Sequence, residues 1–306
     1  MRFVKFSIRS GRSALFLMAG IITFFVPANL FAITFQFDRT VPGVKEFVES
    51  YIQFSVQGTP IASVLPPVFY MVTPRSEREA LVVAKVKNLQ KDKAINALLA
   101  GLVGGVPQQM KGPKGKTVFY HPAPQNAKLS AYLKWDNWLF LSGNPDALIH
   151  LLKTVKTPDE WVTPNKAFLS DGLLKNAGVR FWADNTKGDL TALMRENQQR
   201  SIIPMIKEPD QIKRLSGVFR LGPQKKIAAQ ATAIPVNLQY RAPLKKELET
   251  SLETSRRLLE LFKVPSSGSV KEKGNTLAIQ LSIDDYHFGQ PGLFKRAQAP
   301  ASPKML

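Results

Sequence analysis

The sequence offers few side chains that could do chemistry together. His121 ends an expected strand beside Pro122, His150 lies mid-helix between leucines, and His287 closes Asp284-Asp285-Tyr286-His287. That last run is the one knot of metal-capable ligands, since carboxylates and imidazole three residues apart suit a divalent ion. Such a group is more often a solvated strand end, since spacing alone does not fix coordination geometry, so no metal site is assigned. No serine sits in a Gly-x-Ser-x-Gly elbow, and Gly101-Leu102-Val103-Gly104-Gly105 lacks the Gly-Lys-Ser/Thr of a phosphate loop. The chain contains no cysteine, which excludes thiol nucleophiles, Cys-ligated metals and disulfides. No catalytic residue and no cofactor is therefore expected.

Two groups of residues remain as ligand candidates. Lys111, Lys114 and Lys116 sit in the Gly/Pro-rich loop from Gln108 to Lys116, where mobile cations meet anions; the bland alternative is a solvated hairpin loop. Trp135 and Trp138 flank Asp136-Asn137, and indoles facing solvent stack on sugar rings. In the bland alternative the same pair packs a sheet, together with Ala131, Leu133 and Phe140.

The elements that position these residues follow from periodicity. Leu129, Ala131, Leu133 and Trp135 alternate with polar neighbours, and Trp138 to Leu141 returns across a two-residue Asp-Asn turn. That register sets Trp135 opposite Trp138 and Leu133 opposite Phe140. Asn144 then caps a helix that has Pro145 first, Asp146 at its positive end, Leu148, Leu151 and Leu152 inward, and Lys153 and Lys156 at its end.

Elsewhere helices are expected at 44–56, 91–103, 166–176, 189–206 and 243–263, and strands at 68–72, 80–86 and 179–183. Hairpins are expected at 215–234 and around Gly274-Asn275, while Ile33 to Gly43 reads as a lead-in. Hairpin–helix–hairpin occurs at 68–141 and again at 215–283. One-sided alternation points to an α+β fold: antiparallel sheets of hairpins with helices packed on one face, in two similar halves. The halves span 33–156 and 165–288, joined by a linker at 157–164, and 289–306 reads as a disordered tail.

The stretch Ala131-Tyr132-Leu133-Lys134-Trp135-Asp136-Asn137-Trp138, continuing through Ser142-Gly143-Asn144-Pro145 to Leu148, resembles a segment of exported bacterial envelope proteins of unknown function. These repeat a strand, Asp-Asn-Trp turn, strand and helix unit around antiparallel sheets. The resemblance implies an envelope-located α+β protein and transfers no functional residue.

The N-terminus points to the same compartment. Arg2, Lys5, Arg9 and Arg12 precede an apolar run from Ala14 to Val26, broken by Pro27, with Leu30-Phe31-Ala32 as a cleavage site. The run is short for a bilayer span, so residues 1–32 read as a secretory signal peptide. The alternative is an uncleaved inner-membrane anchor, since no charge appears between Arg12 and Asp38. Absence of cysteine excludes a lipoprotein anchor, and Arg9-Ser-Gly-Arg12 is not a twin-arginine signal.

The net charge is +19 at pH 7. Such an excess attracts anions, and export makes nucleic acid an unsuitable partner. The expected function is a non-enzymatic binding or assembly role towards an anionic envelope lipid or glycan, or another envelope protein. Membrane contact through the N-terminal segment applies only if it is uncleaved. The alternatives are a hydrophobic-ligand carrier, or an enzyme whose site draws on Asp184, Asp284 or Asp285.

Overall fold

The computed structural model describes residues 33–51, 55–56, 59–73, 81–103, 107–121, 129–159, 177–186, 188, 191, 206–221, 226–261 and 263–284. The expected signal segment, the helices at 166–176 and most of 189–206, and the C-terminal tail lie outside them.

Twelve strands form one continuous antiparallel sheet. The first half supplies β1 (Ile33–Asp38), β4 (Val68–Thr73), β5 (Leu81–Lys85), β6 (Gln108–Lys111), β7 (Thr117–Tyr120), β8 (Ala131–Trp135) and β9 (Trp138–Ser142). The second supplies β10 (Val179–Asp184), β11 (Ile212–Leu221), β12 (Ile227–Pro235), β13 (Ser266–Lys273) and β14 (Thr276–Ile283). The remaining pair, β2 (Ser55–Val56) and β3 (Thr59–Pro60), stands apart. Among the described residues the helices are α1 (Val44–Tyr51), α2 (Ile61–Val64), α3 (Lys93–Val103), α4 (Pro145–Thr154) and α5 (Arg241–Leu261).

The order across the sheet is β13-β14-β12-β11-β10-β1-β4-β5-β9-β8-β7-β6. From the β10–β1 midline, β1-β4-β5-β9-β8 runs outward one way and β10-β11-β12-β14-β13 the other. A helix leads from β5 towards β8 and another from β12 to β13, so the halves share a topology. The hairpin β6–β7 extends only the first of them.

The alternation read from the sequence is the burial observed. Trp135 pairs with Trp138 and Leu133 with Phe140 across the turn, where Asp136 adopts φ 55°. Asn144 Oδ1 accepts from the Asp146 amide at 2.9 Å, closing the first turn of α4. Leu244, Leu248, Leu252 and Leu259 face inward from α5, the i,i+4 spacing of an amphipathic helix. Phe35, Phe37, Phe69 and Phe181 join α1, α3 and α5 in the main core on one face. On the other face, Leu133, Trp135, Trp138 and Phe140 pack under Leu148, Leu151 and Leu152 of α4.

Three expectations are corrected. Helices are expected on one face only, but they cover both faces of the sheet, with α4 opposite α1, α3 and α5. The lead-in at Ile33 is a central strand, paired with β10 on one side and β4 on the other. The loop from Gln108 to Lys116 begins as strand β6, followed by a 3₁₀ turn at Pro113–Gly115. An edge strand with a single apolar residue, Met110, carries almost no hydrophobic signal.

Candidate functional site

The β8–β9 turn at Asp136-Asn137 is where the structure gathers the predicted site residues. Its neighbours come from three separate parts of the chain. The Val86 amide donates to the Asn137 carbonyl at 2.7 Å, which holds the β5–α3 connection against the turn. Lys116 Nζ reaches Asp136 Oδ1 at 3.3 Å, which holds the β6–β7 loop there. Lys114 Nζ donates to the Val155 carbonyl at the end of α4, and Lys85 pairs with Asp159 at 3.2 Å. Together, residues 85–93, 111–116, 134–137 and 153–159 hold ten lysines and three aspartates.

This end of the sheet is therefore a basic pole. Lys85, Lys87, Lys91 and Lys93 after β5, Lys111 and Lys114 near the β6–β7 loop, and Lys153 and Lys156 near the end of α4 are all exposed. Clustered cations raise the local concentration of anions, and their field is attenuated over about 8–10 Å at physiological salt.

The five predicted residues occupy distinct positions there. Lys111 is exposed at the end of β6. Lys114 lies with its amine 4.8 Å from the Trp135 ring centroid. Lys116 is partly buried in its contact with Asp136. Trp135 and Trp138 are only 5% and 4% exposed, so their rings serve the packing beneath α4. Lys85 covers Trp138 at 5.3 Å from its centroid, and Tyr70 lies beside that indole at 6.1 Å. Burial raises the pKa of Tyr70; Arg180 opposes the shift and Asp159 adds to it.

The carboxylates of the enzyme alternative do not converge. Asp184 pairs with Arg214 at 3.6 Å, and Asp284 with Lys226 at 3.5 Å. The strand registers put these pairs at opposite ends of β12. Asp285 and His287 lie outside the described residues, among which no cluster of metal-ligating side chains occurs. Among the same residues no helix is long and apolar enough to cross a membrane.

One feature of the pole escaped the sequence reading. Phe119 of β7 stands opposite Tyr132 of β8, with ring centroids 5.0 Å apart and planes within 14°. Alternation along β8 puts Lys134 on the same face as Tyr132, and it donates to Asn96 Oδ1 of α3 at 2.8 Å. Burial lowers the pKa of Lys134 and raises that of Tyr132. The register between β7 and β8 creates this pair, and their separation by residues 121–130 hides it in the sequence.

Fold and site together define an α+β protein with a lysine-rich pole built on an aromatic hairpin. No family model matches the chain, and no curated protein matches it. Among solved structures, crystal forms III and I of TP0453 are similar over 86% of this chain. Form III aligns at 8% identity and TM-score 0.41, covering 93% of that chain. Form I aligns at 9% and 0.43, covering 92%. At this identity and score the likeness carries no functional information.

Proposed function

We propose that this is an exported, non-enzymatic protein of the cell envelope whose basic pole binds an anionic envelope component. One observation carries the reading: three lysine-rich segments, far apart in the chain, converge on the Asp136-Asn137 turn. Two internal contacts hold lysines in place there, Lys114 on the end of α4 and Lys116 on Asp136. Around them Lys87, Lys91, Lys93, Lys111 and Lys153 are exposed. The export-type N-terminus and the charge of +19 support the same reading.

Binding of the purified protein to anionic and to uncharged envelope extracts tests it. Retention on the anionic fraction that weakens steeply between low and physiological salt is the expected result. No retention at low salt would overturn the reading.

A further inference from the structure

We propose that the anionic component is an acidic saccharide, and that Phe119, backed by its stacking on Tyr132, offers its outer face to a sugar ring. This rests on the reading of the basic pole as an anion-binding site and names the ligand class. A row of residues crosses four strands on one face: Leu141 on β9, Tyr132 on β8, Phe119 on β7 and Gln109 on β6. Leu141 belongs to the buried core, the two stacked rings are partly exposed, and Gln109 is exposed. The core thus continues outward as aromatic surface along the hairpin that has no counterpart in the second half.

Cations flank that surface. Lys134 lies two residues from Tyr132, and Lys111 two residues from Gln109, so both side chains belong to the same face. A pyranose presents C–H hydrogens of slight positive charge, which suit the negative face of an aromatic ring. Its carboxylate or sulfate would meet Lys111 and Lys134, and a hydroxyl the amide of Gln109.

The distribution of apolar side chains argues for a hydrated polymer over a bilayer. Docking on a membrane surface gains from large apolar side chains that enter the acyl boundary. Among the described residues, those most exposed are Val236, Leu238 and Leu261, all in the second half of the chain. The basic pole, among the described residues, has lysines and partly covered rings, with no such apolar prong.

The test measures binding of polygalacturonate, neutral dextran and phosphatidylglycerol vesicles to the purified protein at about 0.1 M salt. The expected result is retention by polygalacturonate alone. Phe119→Leu, which keeps an apolar side chain without the ring, should weaken it about tenfold, and Phe119→Trp should restore it. Circular dichroism of each variant checks the fold. Equal polymer binding by the Leu and Trp variants would overturn the role of the Phe119 ring. Binding to the vesicles without the polymer would overturn the saccharide while leaving the anion-binding reading intact. Failure of both probes would overturn the two together.

Discussion

The amine of Lys114 lies 4.8 Å from the ring centroid of Trp135, across the gap between the β6–β7 loop and the β8–β9 hairpin. The same amine donates to the Val155 carbonyl, the C-cap position of α4. One side chain therefore ties a loop, a hairpin and a helix terminus into the base of the pole.

Lys114→Met should lower stability by about 1 kcal/mol, the combined scale of an exposed cation–π contact and a cation at a helix C-terminus. Lys114→Arg should keep most of it. Urea unfolding followed by tryptophan fluorescence reads both, and equal midpoints for wild type and the Met variant would remove Lys114 from this role.

Neutralising Lys87, Lys91, Lys111 and Lys153 to Gln together should reduce the salt dependence of anion binding and weaken it more than about tenfold at low salt. These side chains are exposed, so the melting temperature should stay nearly unchanged. A variant that binds as tightly as wild type would move the site elsewhere.

Gly217→Ala should be strongly destabilising. A Cβ at that position would stand 2.4 Å from Phe181 and 2.5 Å from the Gln230 carbonyl oxygen. One partner is a buried core ring and the other is strand backbone, so neither yields easily. A loss of about 1–3 kcal/mol is expected in chemical denaturation. An unchanged midpoint would contradict the close approach of β10, β11 and β12.

Burial raises the pKa of Tyr70 and of Tyr132 above the ordinary phenol value of 10.0. The folded state then retains protons that the unfolded chain releases, so stability is fully present below pH 10 and falls as pH rises through the folded values. Absorbance titration of the native protein should show Tyr70 and Tyr132 ionising late, and each Phe variant should remove one late step. Tyr70→Phe should shallow the alkaline decline in stability, and an unchanged slope would refute the assignment.

Much of the fold was legible because burial on one face imposes period-two alternation. The turn between Trp135 and Trp138, the Asn144 cap and the inward leucines of α5 all follow from local rules. Gln108–Lys111 was not legible, since an edge strand needs few apolar residues. Ile33–Asp38 does alternate, with Phe35 and Phe37 inward, but six residues give a weak signal, and these lie next to a long apolar run. The site divides the same way. Lys111, Lys114 and Lys116 stand out as a basic loop, whereas the basic pole exists only once topology brings that loop beside Lys85 and Val155. Stacking of Phe119 on Tyr132 needs an inter-strand register that neither segment specifies alone.

The placement of β1 at the midline governs the order in which this molecule can assemble. Phe35 pairs with Phe181, so the strand that joins the halves waits for a partner made much later in synthesis. Contacts so distant in sequence are slow to form. β4 can zip onto β1 early, yet the other edge of β1 stays open until β10 arrives, and only then do the two half-sheets join. That late closure leaves the first half-sheet with an open edge until the far half of the chain has been made.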